Sequence, residues 1–286
     1  MHLQETKGIL SNNNGMNLSR GCIHGCIYCD SRSKCYDIKH KFEDVEIKIN
    51  APILLEQKLK SKRKKCMIVT GAMSDPYMDI AENLNVTRNC LEIIAKYKFG
   101  LSILTKSNLI LKDLDLLKEI NKAKCIVQTT LTTFDEDLCK IIEPNVSTTK
   151  ERVEMLKIMK CNGIKTIVWL CPILPFINDS VENIKGLLDC CIDANVYGII
   201  CFGMGMTLRE GNREYFYKQL DKYFPNLKEK YIKVYRNDYA INSPNNKELM
   251  NLFRKTCTTN KIICDKNMIF KFLNDLHENN KQLIMF

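Results

Sequence analysis

The sequence is short of the features that would carry it into or across a membrane. No apolar run in the 286 residues approaches the ~20 needed to span a bilayer. Met1 opens no positively charged, apolar signal segment. The cytoplasm, and no membrane partner, is the expectation. Internal repeats, low-complexity tracts and Gly/Pro-rich linkers are also missing, so one large α/β domain, or one domain with an appendage, is expected. Cysteine is abundant instead, with 15 in the chain. The odd count and irregular spacing argue against a disulfide framework. Most of these cysteines lie in apolar stretches, where a free thiol packs as a small hydrophobe.

The formal charge of +10 permits a nucleic acid partner. The excess is mostly Lys, however, and abundant Lys, Asn and Ile can reflect genome base composition. The densest basic run, residues 58–65, joins a helix end to the next strand. In a barrel of strand–helix units that is the face opposite the active site, and a solvated helix end is the expected role.

Three cysteines depart from the core pattern: Cys22, Cys26 and Cys29, within Arg20-Gly21-Cys22-Ile23-His24-Gly25-Cys26-Ile27-Tyr28-Cys29-Asp30. A C-x3-C-x2-C loop supplies three thiolates to a four-iron cubane and leaves one iron open to chemistry. Gly21 and Gly25 permit a tight wrap around an inorganic core. The loop alone also admits a zinc site completed by His24, Cys35 or His40. A passive ferredoxin-like cluster with Cys35 as fourth ligand is equally admissible on spacing.

This loop resembles the hallmark of the radical SAM family, C-x3-C-x-aromatic-C, in Cys22, Cys26, Tyr28 and Cys29. Its wider form resembles the spore photoproduct lyase-like branch, often labelled DNA repair photolyases. The resemblance implies a [4Fe-4S] cluster on the three cysteines, with S-adenosylmethionine chelating the fourth iron through its amino and carboxylate groups. It implies an electron from a reducing donor such as flavodoxin or ferredoxin. It further implies a 5′-deoxyadenosyl radical that abstracts hydrogen from substrate. The competing class is a non-catalytic zinc or iron–sulfur protein that binds nucleic acid.

Beyond the loop, short apolar strands alternate with amphipathic helices, the signature of right-handed βαβ units and a parallel sheet. Strands are expected at 16–19, 66–71, 101–105, 125–131, 166–171 and 196–202. Helices are expected at 51–62, 85–97, 114–121, 150–161, 180–194 and 214–223. Six units fall short of the eight of a closed barrel. They agree with the partial (β/α)6 barrel that the resemblance implies, although pattern alone also allows a doubly wound open sheet. Two helices, 247–256 and 266–278, suggest a C-terminal helical extension. The expected division is 1–230 for the barrel and 231–286 for the extension packed on it.

In such a barrel, ligands sit after the C-terminal ends of strands. After the second strand, Ser74 and Asp75 offer acceptors for an ammonium group, and the resemblance assigns the neighbourhood to the cofactor's amino group. A turn in which Asp75 caps the bend before Pro76 is the structural alternative. After the third, Lys106 is displayed where it can pair with a carboxylate; by resemblance this is the methionyl carboxylate. After the fourth, Thr130 matches a family hydroxyl position, and Glu143 with Arg152 is expected as a structural ion pair. After the fifth, residues 172–179 offer apolar groups for adenine. After the sixth, Arg209 and Arg213 could bind a phosphate or carboxylate of substrate, or equally form a surface network. Tyr28, between two cluster ligands, completes the catalytic candidates. True spore photoproduct lyases carry a hydrogen-returning cysteine beside the Ser-Asp pair. Gly71-Ala72-Met73 has no thiol, which counts against photoproduct repair. DNA or RNA bases stand as candidate substrates, and nothing in the sequence indicates the oligomeric state.

Overall fold

Six parallel strands organise the chain: Gly15–Met16, Met67–Thr70, Gly100–Leu104, Cys125–Thr130, Lys165–Trp169 and Gly198–Ile200. They lie side by side in that order, in a computed structural model that describes residues 1–276. Every neighbouring pair is parallel. Among the described residues the first and sixth strands do not pair with each other, so the barrel is partial. This is the (β/α)6 architecture anticipated, and not a doubly wound sheet.

Side-chain alternation divides the sheet's residues between two faces. Ile68, Leu101, Ile103, Cys125, Val127, Val168 and Ile199 face outward into one apolar core. The helices Ala51–Ser61, Ala81–Lys96, Leu114–Asn121, Thr149–Cys161 and Val181–Asp193 cover this face with Leu55, Leu91, Leu117, Leu156 and Leu187. Thr148 and Glu151 form a capping box at one of these helices, satisfying backbone donors that would otherwise be orphaned. The second helix begins at Ala81, four residues before the expected Asn85. Its early residue Asn83, a poor helix former, is buried and donates to the Pro76 carbonyl at 2.8 Å.

The inward set includes Met67, Ile126, Ile167 and Ile200, which pack on Ile269, Phe272 and Leu273 of the helix Lys266–Asn274. The C-terminal helix thus fills the lower half of the partial barrel. Small residues on the strands make room: a Cβ on Gly198 would stand 3.2 Å from Ile269 Cδ1. Lys124 Nζ donates to the Phe272 and Asp275 carbonyls at 2.8 and 2.7 Å, a favourable pairing of a cation with a helix C-terminus. The helix was expected to reach Glu278, which lies outside the described residues.

Two small sheets flank the barrel. The expected strand at 16–19 is split, because Ser19–Arg20 joins Glu46–Lys48 and His2–Gln4 in a three-stranded sheet. Near the chain's end, Ala240–Asn242 pairs antiparallel with Gly205–Thr207. The division anticipated at 230/231 falls within the helix Leu227–Tyr235. There Tyr231 packs on Phe216 and donates to the Pro175 carbonyl at 2.5 Å.

Candidate active site

The loops after the strand ends converge on one cavity of about 520 Å³. Cys22, Cys26, Tyr28 and Cys29 form one wall. Gly21 and Gly25 take φ values of +83° and +68°, where side chains are strained. A Cβ at Gly21 would also collide with the Phe42 carbonyl, which accepts the Cys22 amide at 2.9 Å. Across the loop, the Cys29 amide donates to the Cys26 carbonyl at 3.2 Å.

Burial pushes the thiols of Cys22 and Cys26 up to about 12, so binding a cation there must displace their protons. The three sulfurs do not gather within 4.8 Å of one another. One zinc ion with Zn–S bonds of about 2.3 Å would hold thiolates about 3.8 Å apart; a cubane, gripped at separate corners, needs the wider spacing. The alternative fourth ligands are engaged elsewhere. His24 Nδ1 lies 3.5 Å from Asp75, Cys35 lies 3.4 Å from Arg209, and His40 sits beside His2. The donor set therefore fits an iron–sulfur cluster better than zinc.

Lys106 reaches into this wall, its Nζ 3.5 Å from Cys26 Sγ and 3.7 Å from Glu143. Burial works against its charge, but Cys26 and Glu143 outweigh it and leave its pKa raised. Beneath it, Glu143 and Arg152 form the expected ion pair at 2.5 Å, both fully buried. The Tyr28 hydroxyl donates to the same carboxylate. Arg152 also donates to the Thr130 carbonyl at 2.7 Å, so one network joins the cluster loop to the third and fourth strand ends. Burial and the Glu143 charge hold the Tyr28 phenol well above its ordinary pKa.

Ser74, Asp75 and Thr130 all line the cavity, but the first two are already occupied. Asp75 accepts from the Tyr77 amide at 2.8 Å, Thr105 Oγ1 at 2.7 Å and the Lys106 amide at 2.7 Å. Ser74 Oγ donates to the Gly21 carbonyl at 2.7 Å and lies 2.7 Å from Ser19 Oγ. Asp75 thus caps the turn, and with Ser74 it clasps neighbouring loops while both residues remain on the cavity wall.

The two arginines lie off the cavity wall. Arg213 donates to four backbone carbonyls, of Leu208, Arg236, Asn237 and Asp238, at 2.8–3.1 Å. These bonds fasten neighbouring loops, in line with the surface-network reading of Arg213. Arg209 bonds the Tyr239 hydroxyl at 2.7 Å and sits 3.5 Å from Asp30, so its guanidinium is also committed. The basic run at 58–65 precedes the second strand's N-terminal end, opposite the cavity, as anticipated.

Residues 16–188, more than half of the chain, match the Radical SAM superfamily. The chain belongs to that superfamily. A spore photoproduct lyase variant with bound AdoMet and dinucleoside spore photoproduct has the same fold at 14% identity, with a TM-score of 0.60 over 85% of this chain and 72% of that one. The radical S-adenosylmethionine methyltransferase TsrM of Kitasatospora setae matches at 15% identity and a TM-score of 0.51, over 68% of this chain and 34% of its own. An uncharacterized protein of Methanocaldococcus jannaschii is 38% identical over 168 residues, 58% of this chain and 62% of that relative. One of Mycobacterium tuberculosis is 27% identical over 229 residues, 76% of this chain and 65% of its own length. The chain thus spans less than two thirds of these curated relatives.

Within this radical SAM barrel, sequence reasoning missed a second wall of the cavity. Trp169, Cys171, Phe202 and residues 240–242 line it. Trp169 is the sole tryptophan and ends a strand, a signal that could have been used. Cys171, read as a core thiol, opens onto the cavity. Of the apolar loop 172–179 expected to meet adenine, Pro172 reaches the cavity, whereas Ile173 and Leu174 are buried in the cores. Ala240–Asn242 was hidden because a three-residue strand carries almost no pattern of its own.

Proposed function

We propose that this protein is a radical SAM enzyme acting on a flat, unsaturated substrate such as a nucleic acid base. One observation carries the reading: three cysteines and Lys106 share a cavity of about 520 Å³, within the size range of small-molecule and cofactor sites. A [4Fe-4S] cluster on Cys22, Cys26 and Cys29 would supply reductive cleavage of S-adenosylmethionine and a hydrogen-abstracting radical.

The chain's own residues account for binding and orientation. Lys106, held by Glu143 at 3.7 Å, presents a fixed cation for a carboxylate. Thr130 offers a hydroxyl on the same wall. Asp75 and Ser74 fix the backbone after the second strand, so this stretch meets the cofactor as a rigid edge. Tyr28, tethered to Glu143, gives the cysteine wall an aromatic face against Lys106.

The substrate class rests on the far wall. Trp169 and Phe202 lie with ring centroids 6.0 Å apart, and Phe202 is 56% exposed. Aromatic platforms of this kind stack bases with little regard to sequence. No arginine lines the cavity among the described residues, so phosphate recognition would fall to lysines such as Lys266, 5.3 Å from the Phe202 ring.

Anaerobic reconstitution tests the reading. Iron and sulfide at one [4Fe-4S] cluster per chain, with reductant-dependent release of 5′-deoxyadenosine, are expected. The Cys22→Ala/Cys26→Ala/Cys29→Ala variant should lose both. Stoichiometric zinc at these cysteines without cofactor cleavage would overturn the proposal in favour of a binding protein.

A further inference from the structure

The three-stranded sheet beside the cluster loop brings together a second set of metal-binding side chains. His2 and Glu46 are direct partners in the parallel pair His2–Gln4 with Glu46–Lys48, so both project from the same face. The intervening segment returns His40 to that face, where its ring meets His2 edge-on at 4.9 Å between centroids. His2 Nε2 and His40 Nε2 each lie 4.0 Å from Glu46 Oε2. All three ligand atoms fall within 4.8 Å of one another.

Two further features point to a cation rather than to a chance cluster. His40 Nε2 is buried without a hydrogen-bond partner, an unfavourable state for a ring nitrogen. Each imidazole is also fastened through its other nitrogen. His40 Nδ1 lies 2.9 Å from the Lys41 carbonyl, and His2 Nδ1 lies 3.2 Å from Asp44 Oδ2. A carbonyl or carboxylate on Nδ1 fixes the tautomer that leaves Nε2 free as a ligand, the usual support of metal-bound histidines. Tetrahedral zinc with bonds of about 2.0–2.2 Å spaces its ligands about 3.3–3.6 Å apart, a modest contraction of this arrangement.

We propose that His2, His40 and Glu46 bind one divalent zinc-class cation, with water at the fourth position, independently of the cysteine loop. Two neutral imidazoles and a carboxylate suit Zn²⁺. The ion clamps the chain's first strand and the 40–46 segment together. That segment carries Phe42, whose carbonyl holds the Cys22 amide at 2.9 Å. The site therefore braces the backbone from which the cysteine loop departs.

Co²⁺ serves as the probe, added to metal-free full-length protein carrying Cys22→Ala, Cys26→Ala and Cys29→Ala. One equivalent should bind with visible d–d bands and no thiolate-to-cobalt charge transfer, and Zn²⁺ should displace it. His40→Ala should weaken binding at least ~100-fold, and Asp44→Asn, which weakens the support of His2 along with the Met1 ion pair, about 10–100-fold. A second measurement uses the reconstituted wild-type chain, counting zinc and iron together: His40→Ala should lose the zinc and keep the iron. Absent stoichiometric uptake, a thiolate charge-transfer band, or zinc unchanged in His40→Ala would each overturn the site.

Discussion

The concave face of the sheet is finished in two ways, and the contrast explains how one set of strands serves both stability and chemistry. Its lower half is apolar and plugged, with Met67, Ile126, Ile167 and Ile200 packed on the helix Lys266–Asn274. Its upper half is open, with Leu104, Thr130 and Trp169 facing the cavity. A polar rung divides the two. Trp169 Nε1 donates to Gln128 Oε1 at 2.8 Å, and Gln128 Nε2 donates to Ser102 Oγ at 2.8 Å. In a closed eight-stranded barrel side-chain layers fill the interior; here a helix from the chain's end does so and leaves the strand tips free. The lower half depends on area buried, whereas the upper half depends on charges held out of water.

That contrast can be broken from either side. The largest effect is expected above the rung. Glu143→Ala strands Arg152 and Lys106 as buried cations and should cost about 3–5 kcal/mol, measured by urea unfolding. Below it, Ile269→Ala should cost about 2–4 kcal/mol through lost burial and a cavity. Iron uptake by the cysteine loop should persist, because the plug does not touch that wall. Trp169→Phe leaves Gln128 Oε1 without its donor, at a cost of about 1–3 kcal/mol, and should weaken binding of a stacked substrate more than that of cofactor.

A surface pair gives the smallest effect. Glu56 is held at about 2, below its ordinary 4.5, by hydrogen bonds from Lys96 and Tyr97. A carboxylate with a depressed folded-state pKa stabilises the protein above its ordinary value, and the effect is lost as pH falls through the folded one. Glu56→Gln should therefore slightly lower the melting temperature at neutral pH. The difference should shrink between about pH 4.5 and 2.

Legibility in the sequence follows the same division. Cys22, Cys26 and Cys29 are close in the chain, so spacing alone marked them; Lys106 was placed on the cavity because a strand end is a local feature, and Thr130 through the family resemblance. The Glu143–Arg152 pair was visible because Glu143-Pro144 resembles a family Glu-Pro pair with a complementary charge nine residues on from Glu143. Asp75 was placed correctly on the cavity, but its neighbours, Thr105 and the Lys106 amide, come from another strand and claim its oxygens. The plug was not legible as a plug. Ile269, Phe272 and Leu273 show an apolar helix face, but nothing in their spacing says that it enters the barrel. Alternation along Cys125–Thr130 is likewise masked, because Ile126 and Val127 are both apolar while facing opposite sides.

The central claim is that the open half is a cofactor site continuous with the cysteine loop. Electron paramagnetic resonance of the anaerobically reconstituted, reduced protein, with and without S-adenosylmethionine, tests it most directly. The account predicts a [4Fe-4S] signal that changes on adding the cofactor, with the change weakened in Lys106→Ala. A signal that the cofactor leaves unaltered in the wild-type chain would contradict it.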